Sequence, residues 1–244
     1  MEKVLWEELR RPEFEQAVKD DAVIIIPVGS IEQHGDHLPV NTDAFDCMEM
    51  ATRAAKAADD VSVLVLPVIW TGYSGMHMTR HGTITLSNQT LLDVLTQVAE
   101  SVYAHGFTKV FFLNGHGGNF GPIATMRMRL AYESHCPTPL VMSWMQMPSL
   151  MKHLKGLTGD HAGELETSIV MYLQPELVDK DSLSWVEGVL GDPSKATAER
   201  GKAMVKGIVD DLVGIIRKFH AGQMDDGWGW TEKPMAGKKD ATGP

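Results

Sequence analysis

Four short runs of this chain leave a strand almost no polar face: VIIIPV at Val23–Val28, SVLVLPV at Ser62–Val68, KVFFL at Lys109–Leu113 and PLVMSW at Pro139–Trp144. Successive strand residues point to opposite sides, so runs of this kind need cover on both faces. The segments between them carry helical signals. Ala44–Ala58 reads as a helix, Ser87 caps another that runs through about His105 to a stop at Gly106, and Phe120–Glu133 reads as a third. A fourth starts at Asp160 or Thr158 and ends at Leu173 before Pro175, and a fifth spans Ala196–Phe219. The alternation predicts an α/β fold, a three-layer sandwich with a mostly parallel β-sheet flanked by helices. A length of 244 residues suits one domain over 1–222, with an extended tail at 223–244 in which Trp228 and Trp230 suggest packing on another surface.

In such folds ligands sit outside the carboxyl ends of the strands. Polar clusters follow three of the predicted strands: Glu32, His34 and Asp43 after the first, His77 and His81 after the second, and Asn114, His116 and Asn119 after the third. Glu32 and His34 are two apart, so an extended segment points both the same way. Asp43 also reads as an ordinary acid at a helix N-terminus. His116 stands among glycines in NGHGGN, which brings backbone close to a ligand. His161 and Glu164 have the i, i+3 spacing of one helix face, with Glu166 rotated away from it. Singly, each residue has a structural explanation. Together, carboxylates and imidazoles on one rim point to a metal centre. An oxygen-rich set with imidazole suits zinc, manganese or iron.

The formal net charge of −10 argues against nucleic acid or an anionic membrane as a partner. Two cysteines, Cys47 and Cys136, without a disulfide framework suit a reducing compartment. No apolar run approaches the length of a membrane span, and no secretory leader is read, so a cytoplasmic location is expected. The 15 methionines read as core filler at helical spacing.

The motifs GSIEQHGDHLPVNTD, LNGHGGN and HAGELETS, in this order, resemble those of the creatininase family of metal-dependent amidohydrolases. The resemblance covers roughly Val23 to Leu173. It implies the same parallel α/β sandwich, two divalent metal ions per chain (Zn, Mn or Fe) and a homo-oligomer, commonly a hexamer. By matching position, Glu32 and His116 would hold one metal and His34 the other, with Asp43 bridging them. Creatininase takes a further Glu two residues after the NGH histidine, where this chain has Gly118, and Glu164 is the replacement the motif offers. His161 matches the family's catalytic histidine, a proton shuttle. His37 matches a position beside the ligands.

Departures from creatininase bear on the substrate. Gly117 and Leu157 stand where creatininase has aromatic walls, while Trp144 matches a tryptophan after the fourth strand. Arg80 and His81 replace an apolar-Pro pair, and Arg80 is a candidate to hold a carboxylate or polyhydroxylated substrate. The resemblance therefore implies a dinuclear hydrolase of a small cyclic or formyl amide other than creatinine. The alternative is hydrolytic C–C cleavage of an oxidised inositol or another cyclic ketone, as by a 3-dehydro-scyllo-inosose hydrolase. A non-enzymatic alternative is an inactive metal-stabilised scaffold.

Overall fold

A computed structural model describes residues 3–153 and 160–224. Leu157, Thr158 and the tail from residue 225 onward lie outside the described residues. The sheet has four strands, β1 (Val23–Val28), β2 (Val63–Val65), β3 (Lys109–Asn114) and β4 (Leu140–Ser143), in the order β2-β1-β3-β4. Every pairing is parallel, with Ile25 opposite Val65 and Phe111, and Phe111 opposite Leu140.

Strand alternation sorts the apolar residues into two cores. Val23, Ile25, Val63, Val65, Phe111 and Leu113 face one side and pack with helices α2 (Thr42–Ala57), α6 (Glu164–Leu173) and α7 (Ala198–His220). Ile24, Ile26, Val28, Leu64, Val110 and Phe112 face the other, against α1 (Arg11–Lys19), α3 (Asn88–Ala104) and α4 (Phe120–Tyr132). These are the two helical layers of the expected sandwich. All six residues of β1 are buried, which accounts for a central strand without a polar face.

Local signals set the boundaries. The Ser87 hydroxyl accepts the Thr90 N–H at 3.1 Å to cap α3, and Gly106, at φ +94°, turns the chain out of it. The second strand is shorter than the sequence suggests. Its ladder stops at Val65, close before Pro67, a residue with no N–H to donate, and pairing resumes at one bridge, Val28 to Ile69. The start expected for α6 is also corrected. Asp160 and His161 precede the helix, because Ala162 adopts φ +53° and Gly163 is the N-cap. His161 instead forms an antiparallel bridge with Leu190.

Candidate metal centre

Four chain segments deliver side chains to the carboxyl end of β1 and β3. The loop after β1 brings Glu32 and His34, the second position of α2 brings Asp43, the loop after β3 brings His116, and the segment entering α6 brings His161 and Glu166. Glu32 and His34 are 0% exposed, so their charges have no water to hold them.

Each histidine is oriented from behind. The His116 Nε2–H donates to the Tyr73 carbonyl oxygen at 2.9 Å, leaving Nδ1 to face Asp43 Oδ2 at 2.9 Å and Glu32 Oε1 at 3.4 Å. The His34 Nδ1–H donates to the Glu32 carbonyl oxygen at 3.1 Å, so Nε2 faces Asp43 Oδ1 at 3.2 Å and Glu166 Oε2 at 3.5 Å. The two oxygens of Asp43 thus serve two different imidazoles. His161 donates Nε2–H to the Gln33 carbonyl oxygen at 3.0 Å, and its Nδ1 faces Glu32 Oε1 at 3.3 Å. Backbone carbonyls only accept, so for His34 and His116 these contacts fix one ring nitrogen as a donor and turn the other toward the carboxylates.

Apart from one another these groups have few partners. Both Glu32 carboxylate oxygens, His34 Nε2 and Asp43 Oδ2 are buried without a well-aligned hydrogen bond among the described residues. Ligand atoms of Glu32, His34 and Asp43 lie within 4.8 Å of one another, as do those of His34, His161 and Glu166, and those of Glu32, His77 and His161. Buried carboxylate oxygens and ring nitrogens converging on one another fit divalent cations, and the oxygen and imidazole donors suit zinc, manganese or iron.

The electrostatics are those of a cation site. Burial alone would depress His34, but Asp43, then Glu166 and Glu32, lift it from 6.5 to about 10. Burial likewise opposes the rise of His116 to about 10, which hydrogen bonding to Asp43 and Glu32 drives. Burial would raise Asp43, yet His34 and His116 hold it below the usual carboxylate range. Glu166 is pushed up to about 8, first by burial. Burial, then His34, lowers His161 to about 4, so its ring is neutral at pH 7.

Glu164 is not brought to this cluster. Its carboxylate pairs with Arg200 of α7. Because the helix begins after Ala162, residues 161 and 164 do not share a helical face, and the acid that reaches His34 is Glu166. The Ala162 N–H donates to Glu166 Oε2 at 2.6 Å, and Asp160 Oδ2 accepts the Glu166 N–H at 3.1 Å. With Gly163 as the N-cap, the helix starts three residues later than it would from Asp160. Arg80 and His81 are not brought in either. Arg80 is tied to Glu187 by an ion pair of 2.9 Å and by its Nε–H to the Glu187 carbonyl at 3.1 Å, and His81 is solvent-exposed. His37 lies behind the cluster, its Nε2 at 3.0 Å from Thr167 Oγ1.

Gln33 gains a place that sequence reasoning did not assign, and His77, expected on this rim, gains a partner. The Gln33 amide donates to the Gly188 carbonyl at 2.8 Å and to His77 Nδ1 at 3.0 Å. His77 stacks on His161 with centroids 4.5 Å apart and planes 18° apart. Gln33 stands between the ligand candidates Glu32 and His34 in the first motif, where their chemistry draws the attention.

A cavity of about 510 Å³ opens over Glu32, Asp43, His116, His161 and Glu166. Trp144 lines it, 1% exposed, with an indole N–H that has no acceptor among the described residues. Gly117 also lines it, and a Cβ added there meets nothing within 4 Å, so no wall stands at that point. At Gly118 a Cβ would run into the Tyr73 carbonyl and the His116 ring, so a glutamate there is excluded without displacing His116.

The family described as creatininase, creatinine amidohydrolase, matches residues 7–216. A mycofactocin precursor peptide peptidase of Mycobacterium ulcerans (strain Agy99) is 31% identical over 232 residues, covering 82% of this chain and 86% of that protein. The 3-dehydro-scyllo-inosose hydrolase of Thermotoga maritima (strain ATCC 43589 / DSM 3109 / JCM 10099 / NBRC 100826 / MSB8) is 26% identical, covering 91% of this chain and 86% of that protein. Among solved structures, a creatininase variant of the Zn-Zn type superposes with a TM-score of 0.76 at 26% identity, covering 88% of this chain and 98% of the other.

Proposed function

The chain belongs to the creatininase family of hydrolases, and from that premise we propose that it hydrolyses the C–N bond of an amide at a two-metal centre. The observation that carries this reading is the set of buried atoms on Glu32, His34 and Asp43 with few partners apart from one another. Glu32, Asp43 Oδ2 and His116 Nδ1 would hold one divalent ion, and His34 Nε2, Asp43 Oδ1 and Glu166 the other. When bound, two such ions would lower the pKa of a water to about 7 and polarise a carbonyl. Creatininase structures of the Zn-Zn type and with Mn resemble this chain equally well, which supports zinc or manganese.

The protein's own groups supply the remaining work. Trp144 offers its free indole N–H to a polar acceptor on the substrate and so orients it over the carboxylates. His161 Nδ1 is the one lone pair of that ring left open, since Nε2–H is held by Gln33, and it takes a proton from water and passes it to the leaving nitrogen. The stack on His77 and the bond to Gln33 keep the ring in that orientation.

C–N cleavage is favoured over opening of a polyhydroxylated ring because, beyond the metal-facing set, the cavity side chains that can hydrogen-bond are His77, Trp144, Gln146 and Asp160, and the rest of the lining is apolar or glycine. No lysine or arginine lines it among the described residues, and Arg80 is engaged by Glu187. Creatinine itself is a poor fit, because Gly117 provides no flat surface to stack on.

The test is elemental analysis of protein purified without chelator, together with a panel of lactams, formamides, peptide amides and keto-inositols. Two equivalents of metal and amine release from amides are expected. Absence of metal, or turnover confined to keto-inositols, would overturn the reading.

A further inference from the structure

We propose that the substrate carries an apolar chain or ring beyond the scissile amide, and that a methionine-rich rim holds it. The inference rests on the metal-hydrolase reading above. The floor of the cavity is charged, but Met76, Phe120, Met145 and Met151 line it as well, with the buried Leu150 and the exposed Gln146 among them. Met76 is 54% exposed, Phe120 41% and Met151 51%, so these side chains are not used up in packing the core. They come from separate places in the fold: Met76 from the loop after β2, Phe120 from the first position of α4, and Met151 from the short helix α5 (Pro148–Met151) after β4.

Isolated exposed apolar residues are ordinary, but several converging on one concave opening mark a binding surface. Concavity and continuity with the reactive floor favour a small molecule over a protein partner. A volume of about 510 Å³ is that of a pocket for a drug-sized ligand, and a bare formamide or a five-membered lactam would leave most of it filled with water. The wall holds no cation among the described residues, so an anionic extension has nothing to pair with. Methionine is unbranched and polarizable, and a rim built from it accepts apolar groups of varied shape. The substrate class is therefore an amide with an aliphatic or aromatic substituent of several carbons.

The experiment uses straight-chain alkyl hydroxamates from acetyl to octanoyl as probes of the zinc-loaded enzyme, with Kd read by calorimetry. A hydroxamate binds divalent ions, so the head group reports the centre and the tail reports the rim. Kd is expected to fall about three- to fourfold per added methylene while the tail is being buried. Met76→Ser with Met151→Ser, and separately Phe120→Ser, should flatten that dependence. Equal affinity along the series, or a dependence that survives in both variants, would overturn the rim proposal. Failure of every hydroxamate to bind, the acetyl compound included, would overturn the metal reading and the rim proposal with it. Binding of the acetyl compound with no chain-length effect would remove only the rim proposal.

Discussion

Glu164 and Glu166 stand two residues apart and do different jobs. Glu166 points at His34 because Ala162, at φ +53°, turns the chain before α6 and its N–H holds the carboxylate at 2.6 Å. Glu164 points the other way, to Arg200. Glu166→Gln is therefore expected to lose one of two metal equivalents and most activity, since a neutral amide is a weaker donor to a divalent ion. Glu164→Gln should keep both ions and cost about 0–1 kcal/mol, the worth of a partly exposed ion pair. Metal analysis and denaturant titration of the two variants side by side decide it. His161→Ala should retain metal and slow turnover by about 10²–10⁴. Loss of metal in that variant would make His161 a ligand instead. The residues around Glu32, His34, Asp43 and His116 were legible in sequence because each stands in a dense motif. Glu166 was not, because its assignment turns on one positive-φ alanine, which side-chain chemistry does not announce.

At the scale of elements, the sheet was the most legible part. A strand buried on both faces has to be apolar throughout, and β1, with β3 from Val110 to Leu113, carries that signature. β2 was read too long because Pro67 looks apolar in a pattern while being unable to donate to the ladder. The Arg80–His81 loop shows a related limit of local pattern. Its position after β2 was right for a site, but the partner that turns Arg80 aside, Glu187, lies 107 residues away. The crossing of β1 and α2 carries a further prediction. A Cβ at Gly29 would strike the backbone of Ala44, the neighbour of Asp43. Gly29→Ala should push α2 outward, costing about 1–3 kcal/mol as overpacking does, and weaken metal affinity along with stability. Thermal denaturation and chelator competition would measure the two effects. A stable variant with undiminished metal affinity would show that the loop absorbs the methyl group.

Across the whole molecule, protons and metal ions compete for the same buried atoms. In chelator-treated protein, His34 and His116 are raised from 6.5 to about 10, so their contribution to stability is complete below about pH 6.5 and is lost as pH rises toward 10. Glu166, raised from 4.5 to about 8, changes in the same direction over its own range. Asp43 and Glu32 are lowered, so their contribution is present above ordinary carboxylate values and is lost in stronger acid. Metal-free protein should therefore be most stable in mild acid and weaken steadily above neutrality, as denaturant midpoints from pH 5 to 10 would show. At pH 7 loading with zinc should release protons from both imidazoles, which a pH indicator in weak buffer would count. No proton release would mean that the rings are already neutral.

The contrast between the buried floor and the half-exposed rim has a consequence for descent. Exchanging a floor residue such as Glu32 threatens metal affinity and folding together, and selection meets that penalty at the first step. Exchanging Met76 or Met151, each about half exposed, usually alters stability by no more than about 0.5 kcal/mol. A lineage that keeps the floor can therefore pass through many rims, one viable substitution at a time. Descendants of one ancestral chain can come to act on unlike molecules while inheriting the same reactive centre.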